Sequence, residues 1–266
     1  MTTGLDLSAA RQSALAEVLE EQQRRFAAIR YGSRLRVGIA RAVLNPDAPL
    51  AMCNFAATLQ GSPEAAATTL AGLPAVWDEA GMRQVFVLDS PSSLPELGIV
   101  AEDCDYDAVE ESSVLILTAP RLLMDDEPGV LTRPLTEQQE NDVAGVLSDA
   151  FGYSEQVEHR LALLWGQRLD DPRVLAIGTE REGRLVGVAT AFVESGIGLV
   201  TDVGVVPEHR GHRLGRALAS AATAECLRRG AGLVWLAAEA GGRLEQFWTH
   251  LGYEPAYDAV TYRRWI

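Results

Sequence analysis

The stretch Val203-Gly-Val-Val-Pro-Glu-His-Arg-Gly-His-Arg-Leu-Gly-Arg-Ala-Leu218 decides how this chain is read. It passes from a β-branched segment through a Pro that ends strand pairing, across a Gly-containing loop, and into a helix rich in Ala and Leu. Such a loop can turn successive main-chain N–H groups inward while the helix N-terminus adds partial positive charge, and together they form an anion site. Arg210, Arg213 and Arg216 gather positive charge in a chain whose formal net charge is −14. That contrast points to a phosphorylated ligand. Taken alone, the pattern also fits an ordinary strand-to-helix turn with solvated arginines. A dinucleotide-binding fold is disfavoured, because Arg213 stands where a close-approach Gly is needed and no acidic residue follows a second strand at ~20 residues. A P-loop is excluded by the missing Gly-Lys-Ser/Thr.

Working outward, Val174 to Thr179 and Leu185 to Val193 read as strands joined by a turn at Arg181-Glu182-Gly183, and Gly198 to Val206 as a third. Ahead of them Thr136 can cap a helix carrying Val143, Val146, Leu147 and Phe151, and a second helix carries Leu161, Leu164 and Trp165. After the loop come a helix from Gly215 to about Arg229, a strand at Leu233 to Ala238, a helix from Arg243 ended by Gly252, and a strand from Ala259 to Trp265. This order predicts a mixed α/β sheet with helices packed on it, an α+β arrangement. The acidic stretch Met124-Asp-Asp-Glu-Pro-Gly129 is the best linker, so the expected domains are 1–128 and 129–266. In the first of these, Val18, Leu19, Phe26 and Ile29 form one stripe of an amphipathic helix with Glu21, Arg24 and Arg25 on its other faces. An extended run near Arg36 to Val43, a helix begun by Ser62-Pro63, a strand at Gln84 to Leu88 and a β-rich run at Ser113 to Thr118 follow.

At 266 residues the chain can bury roughly 70–75% of its unfolded surface without staples. Its 3 cysteines, Cys53, Cys104 and Cys226, are far apart and form no CxxC pair, which points to a reducing cytoplasm and no structural metal. No apolar run approaches the ~18 residues of a membrane span, and the first residues lack a basic leader. A pI of about 4.7 repels a phosphate backbone, so neither membrane nor nucleic acid is an expected partner. The acidic surface favours a cationic substrate such as an amine, and equally serves solubility alone.

The run Val205 to Gly215 resembles the acetyl-CoA signature of the GCN5-related N-acetyltransferases (GNAT), and Phe247-Trp-Thr-His-Leu-Gly-Tyr253 resembles that family's late helix ending in Gly-aromatic. The resemblance covers residues 130 to 266. It implies acetyl-CoA as cosubstrate, with no metal. The backbone of Val203 and Val205 would pair with the pantetheine arm, with an N–H aimed at the thioester carbonyl. The loop from Gly211 through His212, Arg213, Leu214 and Gly215 to Arg216, with Arg210 beside it, would hold the pyrophosphate. A primary amine of a small-molecule acceptor would attack directly, aided by oxyanion stabilisation and orientation. Asn54-Phe55-Ala56, the helix after Ser62, the strand at Gln84 and Val114-Leu-Ile-Leu117 follow the order of a half that has lost its Gly loop, as in tandem two-domain members; an unrelated small α/β domain is the alternative.

Two positions depart from the family pattern. Trp248 stands where Tyr usually protonates the departing thiolate, and an indole N–H only donates hydrogen bonds, so Trp248 reads as packing between helix and cofactor. Gly241 stands where many members have Asn. Tyr253, Tyr257 and Tyr262 are the substitute acids. Asp202, the only carboxylate on the signature strand, is the candidate base, with Glu239 and Glu194 in reserve, although strand alternation turns Asp202 away from the face of Val203 and Val205. The absent Tyr and Asn leave a second reading open, a catalytically weak acyl-CoA-binding sensor or structural module. The oligomeric state, a homodimer among the options, is open.

Overall fold

The computed structural model describes residues 5, 7–29, 32–48, 50–121 and 131–266; the stretch Met124–Gly129, with the boundary expected near 129, lies outside them. Main-chain contacts gather the chain into two compact units. One holds the residues up to Leu115 together with Ala237–Thr249 and Glu254–Ile266, and the other holds Ile116–Leu236 with His250–Tyr253. Among the described residues no helix is long and apolar enough to cross a membrane.

The first unit contains α1 (Ala9–Ala27), β1 (Ser33–Val37), β2 (Ala40–Leu44), β3 (Phe55–Ala57), α2 (Pro63–Glu79), β4 (Gln84–Asp89), α3 (Leu97–Asp103) and β5 (Asp107–Leu117). The second unit contains β6 (Leu131–Pro134), α4 (Glu140–Phe151), α5 (Glu155–Arg168), β7 (Val174–Arg181), β8 (Arg184–Glu194), β9 (Ile197–Val205), α6 (Leu214–Arg228) and the start of β10 (Leu233–Glu239). Two last elements, α7 (Arg243–His250) and β11 (Tyr253–Trp265), fall mainly in the first unit.

In the first unit the sheet runs β1-β2-β3-β4-β11-β5, with β3 and β4 parallel and β11 antiparallel to β4. The extended run expected at Arg36–Val43 is a hairpin, because Gly38 at φ 54° turns the chain between β1 and β2. α2 starts where Ser62 and Pro63 predict: the Ser62 hydroxyl accepts from the Ala65 N–H at 3.3 Å. Its Leu70, Leu73 and Trp77 pack with Val85 and Val87 of β4 in the core. α1 departs from its expected stripe, since Val18 is 48% exposed while Arg24 and Glu20 are buried. The reason is a polar cluster. Glu20 accepts hydrogen bonds from the hydroxyls of Thr58 (2.6 Å), Ser92 (2.8 Å) and Ser90, and Arg24 lies 3.8 Å away as counter-charge and donates to Thr58. A buried charge with this many partners is tolerated where a lone one is not.

In the second unit the sheet runs β10-β9-β8-β7-β6, antiparallel except for the parallel β9–β10 pair that α6 bridges. Small residues let the helices lie close to the strands. A Cβ on Gly187 would come 2.7 Å from Leu218 of α6, and one on Gly198 would come 2.7 Å from Cys226 of the same helix. A Cβ on Gly204 would instead come 2.9 Å from Ala150 of α4. Gly198 and Gly204 are an even number of residues apart, yet they meet different helices. The strand between them must therefore switch faces.

Gly252, at φ 97°, marks the end of α7 as expected, and its carbonyl accepts from the main-chain N–H groups of Thr118 and Ala119. A Cβ there would overlap the Ala119 carbonyl oxygen. Gly252→Ala should therefore cost about 3 kcal/mol or more, read as a lowered Tm by calorimetry.

Candidate active site

The site is built on the second unit from the end of β9 onward. Val206 donates its N–H to Val186 O at 3.0 Å, and β8 pairs with β9 through Gly187↔Val205 and Val188↔Gly204. In an antiparallel ladder neighbouring residues alternate in direction, so the N–H groups of Val205 and Val203 point to the other edge of the strand. On that edge, pairing with β10 covers Ile197–Leu199 against Leu233–Trp235, and among the described residues it goes no further. An open strand edge of this kind can accept an extended amide chain as if it were another strand.

Pro207 then ends the strand, and one turn of 3-10 helix (Pro207–His209) leads into the loop. Arg210, expected among the phosphate-facing arginines, donates instead to the protein's own carbonyls: Nε to Val205 O at 3.1 Å and a terminal nitrogen to Ala150 O at 2.7 Å. It ties the loop to β9 and to the end of α4. Gly211 at φ 84° and Arg213 at φ 56° turn the backbone through left-handed conformations just before α6. Arg213 is the N-cap residue and its side chain makes no capping bond. The N–H groups of Arg216 and Ala217 both bond to Arg213 O. Among the described residues, the N–H groups from Gly211 to Gly215 have no acceptor in the protein.

Two further observations fit a phosphorylated ligand. Arg216 Nε, in the first turn of α6, is buried without a hydrogen bond. Gly211 has no protein atom within 4 Å of where a Cβ would be, and Gly215 has only Val205 Cγ2 at 3.9 Å, so the space above these amides is open. Consecutive free amides, a helix end, an orphaned guanidinium N–H and an open approach together make a place that can hold an anion. His212, Arg213 and Leu214 lie along the same run. Among the described residues no group of three or more His, Cys, Asp or Glu could hold a metal.

The first unit repeats the order of these elements, β3-α2-β4-α3-β5 against β9-α6-β10-α7-β11, with β3 and β4 parallel as β9 and β10 are. It handles the helix start differently. Ser62 caps α2 with its own hydroxyl and Pro63 carries no N–H. Directly after β3 and β4, Thr58 and Ser90 donate to buried Glu20, whose negative charge at that place would repel a phosphate.

The expected catalytic side chains are distributed as follows. Asp202 sits in β9 with its carboxylate 6% exposed, 3.8 Å from a terminal nitrogen of Arg168 on α5. Burial raises its pKa, opposed first by Arg168 and then by Thr190. Trp248 lies on α7 in the first unit, buried and edge-to-face with Phe247 at 5.1 Å between ring centroids. Gly241 is at φ 66°, a conformation that suits Gly better than Asn, and its N–H is held by Glu245 at 2.8 Å. Tyr253 and Tyr257 are buried, and burial pushes both phenols above their ordinary value. The Tyr253 hydroxyl is shared with Thr223 of α6 at 2.7 Å. Burial also raises Tyr262, whose hydroxyl lies 2.6 Å from where a Cβ on Gly98 would be. Glu194 is paired with Arg173 at 2.7 Å, and Glu239 is exposed at the end of β10.

Free helix-start amides beside an open strand edge are an arrangement that can hold a phosphorylated ligand with an extended amide arm. Residues 141–253 match the model of the acetyltransferase (GNAT) family. No curated protein matches the sequence. Among solved structures, a GCN5-related N-acetyltransferase from Kribbella flavida is 18% identical with a TM-score of 0.72, covering 95% of this chain and 95% of that one. A functionally unknown conserved protein from Staphylococcus epidermidis ATCC 12228 is 10% identical with a TM-score of 0.68, covering 88% and 94%. A tandem GNAT protein from the clavulanic acid biosynthesis pathway is 16% identical with a TM-score of 0.63, covering 91% and 87%. At these identities the likeness is one of fold, and it extends over most of the chain.

Arg210→Ala removes two bonds to main-chain carbonyls, so amide exchange should quicken across 206–213 while the Tm falls by the equivalent of about 1–2 kcal/mol. Unchanged exchange in that segment would show that the loop holds its shape without Arg210.

Proposed function

We propose that this protein is an N-acetyltransferase that moves an acetyl group from acetyl-CoA to a primary amine of a small-molecule acceptor. The observation that carries the reading is the run of free N–H groups from Gly211 to Gly215 at the start of α6. These amides and Arg216 Nε bind the pyrophosphate, and the Val203–Val205 edge of β9 takes the pantetheine amides as a strand would. Acetyl-CoA supplies an activated thioester. The Val205 N–H, directed at that edge, stabilises negative charge on the carbonyl oxygen as the amine attacks. The N–C bond forms, the C–S bond breaks, CoA leaves as a thiolate, and the nitrogen sheds its extra proton to that thiolate or to water.

Burial raises Tyr253, Tyr257 and Tyr262 alike, which makes each a weaker proton donor than a free phenol. A thiolate is a good enough leaving group to depart without one. The acceptor is acidic before it reacts, since an aliphatic ammonium has a pKa near ~10.4. With Asp202 paired to Arg168, the amine loses its proton to solvent. The first unit is a degenerate GNAT-like half that holds no second CoA, because Ser62 and Glu20 occupy the places of the cradle and its counter-charge.

Two measurements test this reading. Arg213→Glu places negative charge beside the cradle and should weaken acetyl-CoA about tenfold in titration calorimetry; equal affinity would remove the loop assignment. With an amine panel, thiol release should appear, and kcat/KM should rise about tenfold per pH unit below the acceptor's pKa. A plateau near neutral pH would mean that a side chain takes the proton, and no release with any amine would favour a binding module.

A further inference from the structure

Asp202 is a non-glycine residue at φ 52° inside a strand. Such a conformation costs about 1–3 kcal/mol and persists only where the surroundings over-determine it. The pairing of β8 with β9 slips by one residue at this point: Val188 pairs with Gly204, but Thr190 pairs with Thr201. The strand therefore carries a β-bulge at Asp202–Val203, opposite Ala189. The bulge causes the face switch between Gly198, which meets α6, and Gly204, which meets α4. It also sets which residues beyond it aim their N–H groups at the open edge. A strand that ran regularly through Asp202 would exchange the roles of Val205 and Gly204.

The charged contact at the bulge comes from α5, beside Thr190 of β8. Arg168, at the end of α5 and 1% exposed, places a terminal nitrogen 3.8 Å from Asp202 Oδ2, and that oxygen has no hydrogen bond. The guanidinium is itself set over the Trp165 ring at 5.3 Å. A buried carboxylate must stay near its counter-charge, and turning Asp202 back to extended backbone would swing its side chain toward the opposite face of β9. Resting on the acyl-CoA reading above, we propose that Arg168 is a positioning residue, whose ion pair with Asp202 holds the bulge that aims the N–H groups of Val203 and Val205 at the acyl-CoA.

The test uses the full chain and two readouts, amide exchange across 201–205 without ligand and acetyl-CoA affinity by calorimetry. Arg168→Met keeps the length of the side chain and removes the charge. Exchange should quicken across 201–205 while 211–215 stays as it is, and acetyl-CoA should bind about tenfold more weakly. Arg168→Lys, which keeps a cation near Asp202, should recover most of both. The double variant Arg168→Met with Asp202→Gly removes the buried charge and puts Gly where φ is positive, so the bulge no longer needs the pair. It should exchange and bind close to wild type even if Arg168→Met alone folds poorly. The proposal is overturned if Arg168→Met alters neither readout, or if the double variant is as impaired as Arg168→Met. If the wild-type chain itself binds no acetyl-CoA, the functional reading fails, while the exchange data still decide whether the pair holds the bulge.

Discussion

A main-chain N–H withdrawn from water needs an acceptor, and proteins meet that need almost everywhere. In the second unit five consecutive N–H groups at the start of α6, those of Gly211 to Gly215, face open space with no acceptor among the described residues of the protein, and the rest of the site follows from that gap. The gap exists because the residue before α6 is Arg213 in a left-handed conformation, which has no short side-chain oxygen to cap the helix. The first unit shows the opposite solution on the same order of elements. There Ser62 caps, Pro63 has no donor to satisfy, and Thr58, Ser90 and Ser92 spend their hydroxyl protons on Glu20. At its helix start the first unit meets its donors from within; the second leaves them open.

Strand β9 adds direction to that excess of donors. Its N-terminal part is stitched to β10, and its C-terminal part is held on the other side only, by β8. The bulge between the two parts turns Gly204 onto α4, where a larger residue would collide with Ala150. Arg210 then closes the corner by bonding Val205 and Ala150 together through their carbonyls. Cradle and strand edge are thereby carried on packed elements and do not depend on a mobile loop finding its place.

Much of this was legible in the chain because the signals are local. Pro207 must stop a strand, Gly211 tolerates a left-handed turn, and the Ala-rich and Leu-rich run that follows has no alternative to a helix. The order of helices and strands from Thr136 to Trp265 was readable for the same reason. Readings failed where a residue's partner is distant in sequence. Arg24 looks solvated from its own helix, and only Glu20 together with Thr58 and the serines after β4 makes its burial affordable. Arg210 looks like a phosphate ligand until the carbonyl of Ala150 is brought beside it. The bulge at Asp202 has only a weak local mark, since aspartate is enriched several-fold in left-handed backbone but few residues of any kind other than glycine adopt it. Helix α3 was missed because it is short and contains Gly98, although Leu97, Val100 and Ala101 carry the helical spacing of buried residues.

The placement of β11 bears on how the molecule is made. It lies between β4 and β5 in the sheet of the first unit, yet it is synthesised well after both of them. A ribosome releasing residues in order therefore exposes β4 and β5 long before the strand that separates them exists. The second unit, whose sheet needs nothing beyond Trp235 for its registered pairs, can settle first. The sheet of the first unit is completed only once β11 has been made, and until then its unpaired β4 edge is the surface a nascent polypeptide would have to keep from its neighbours.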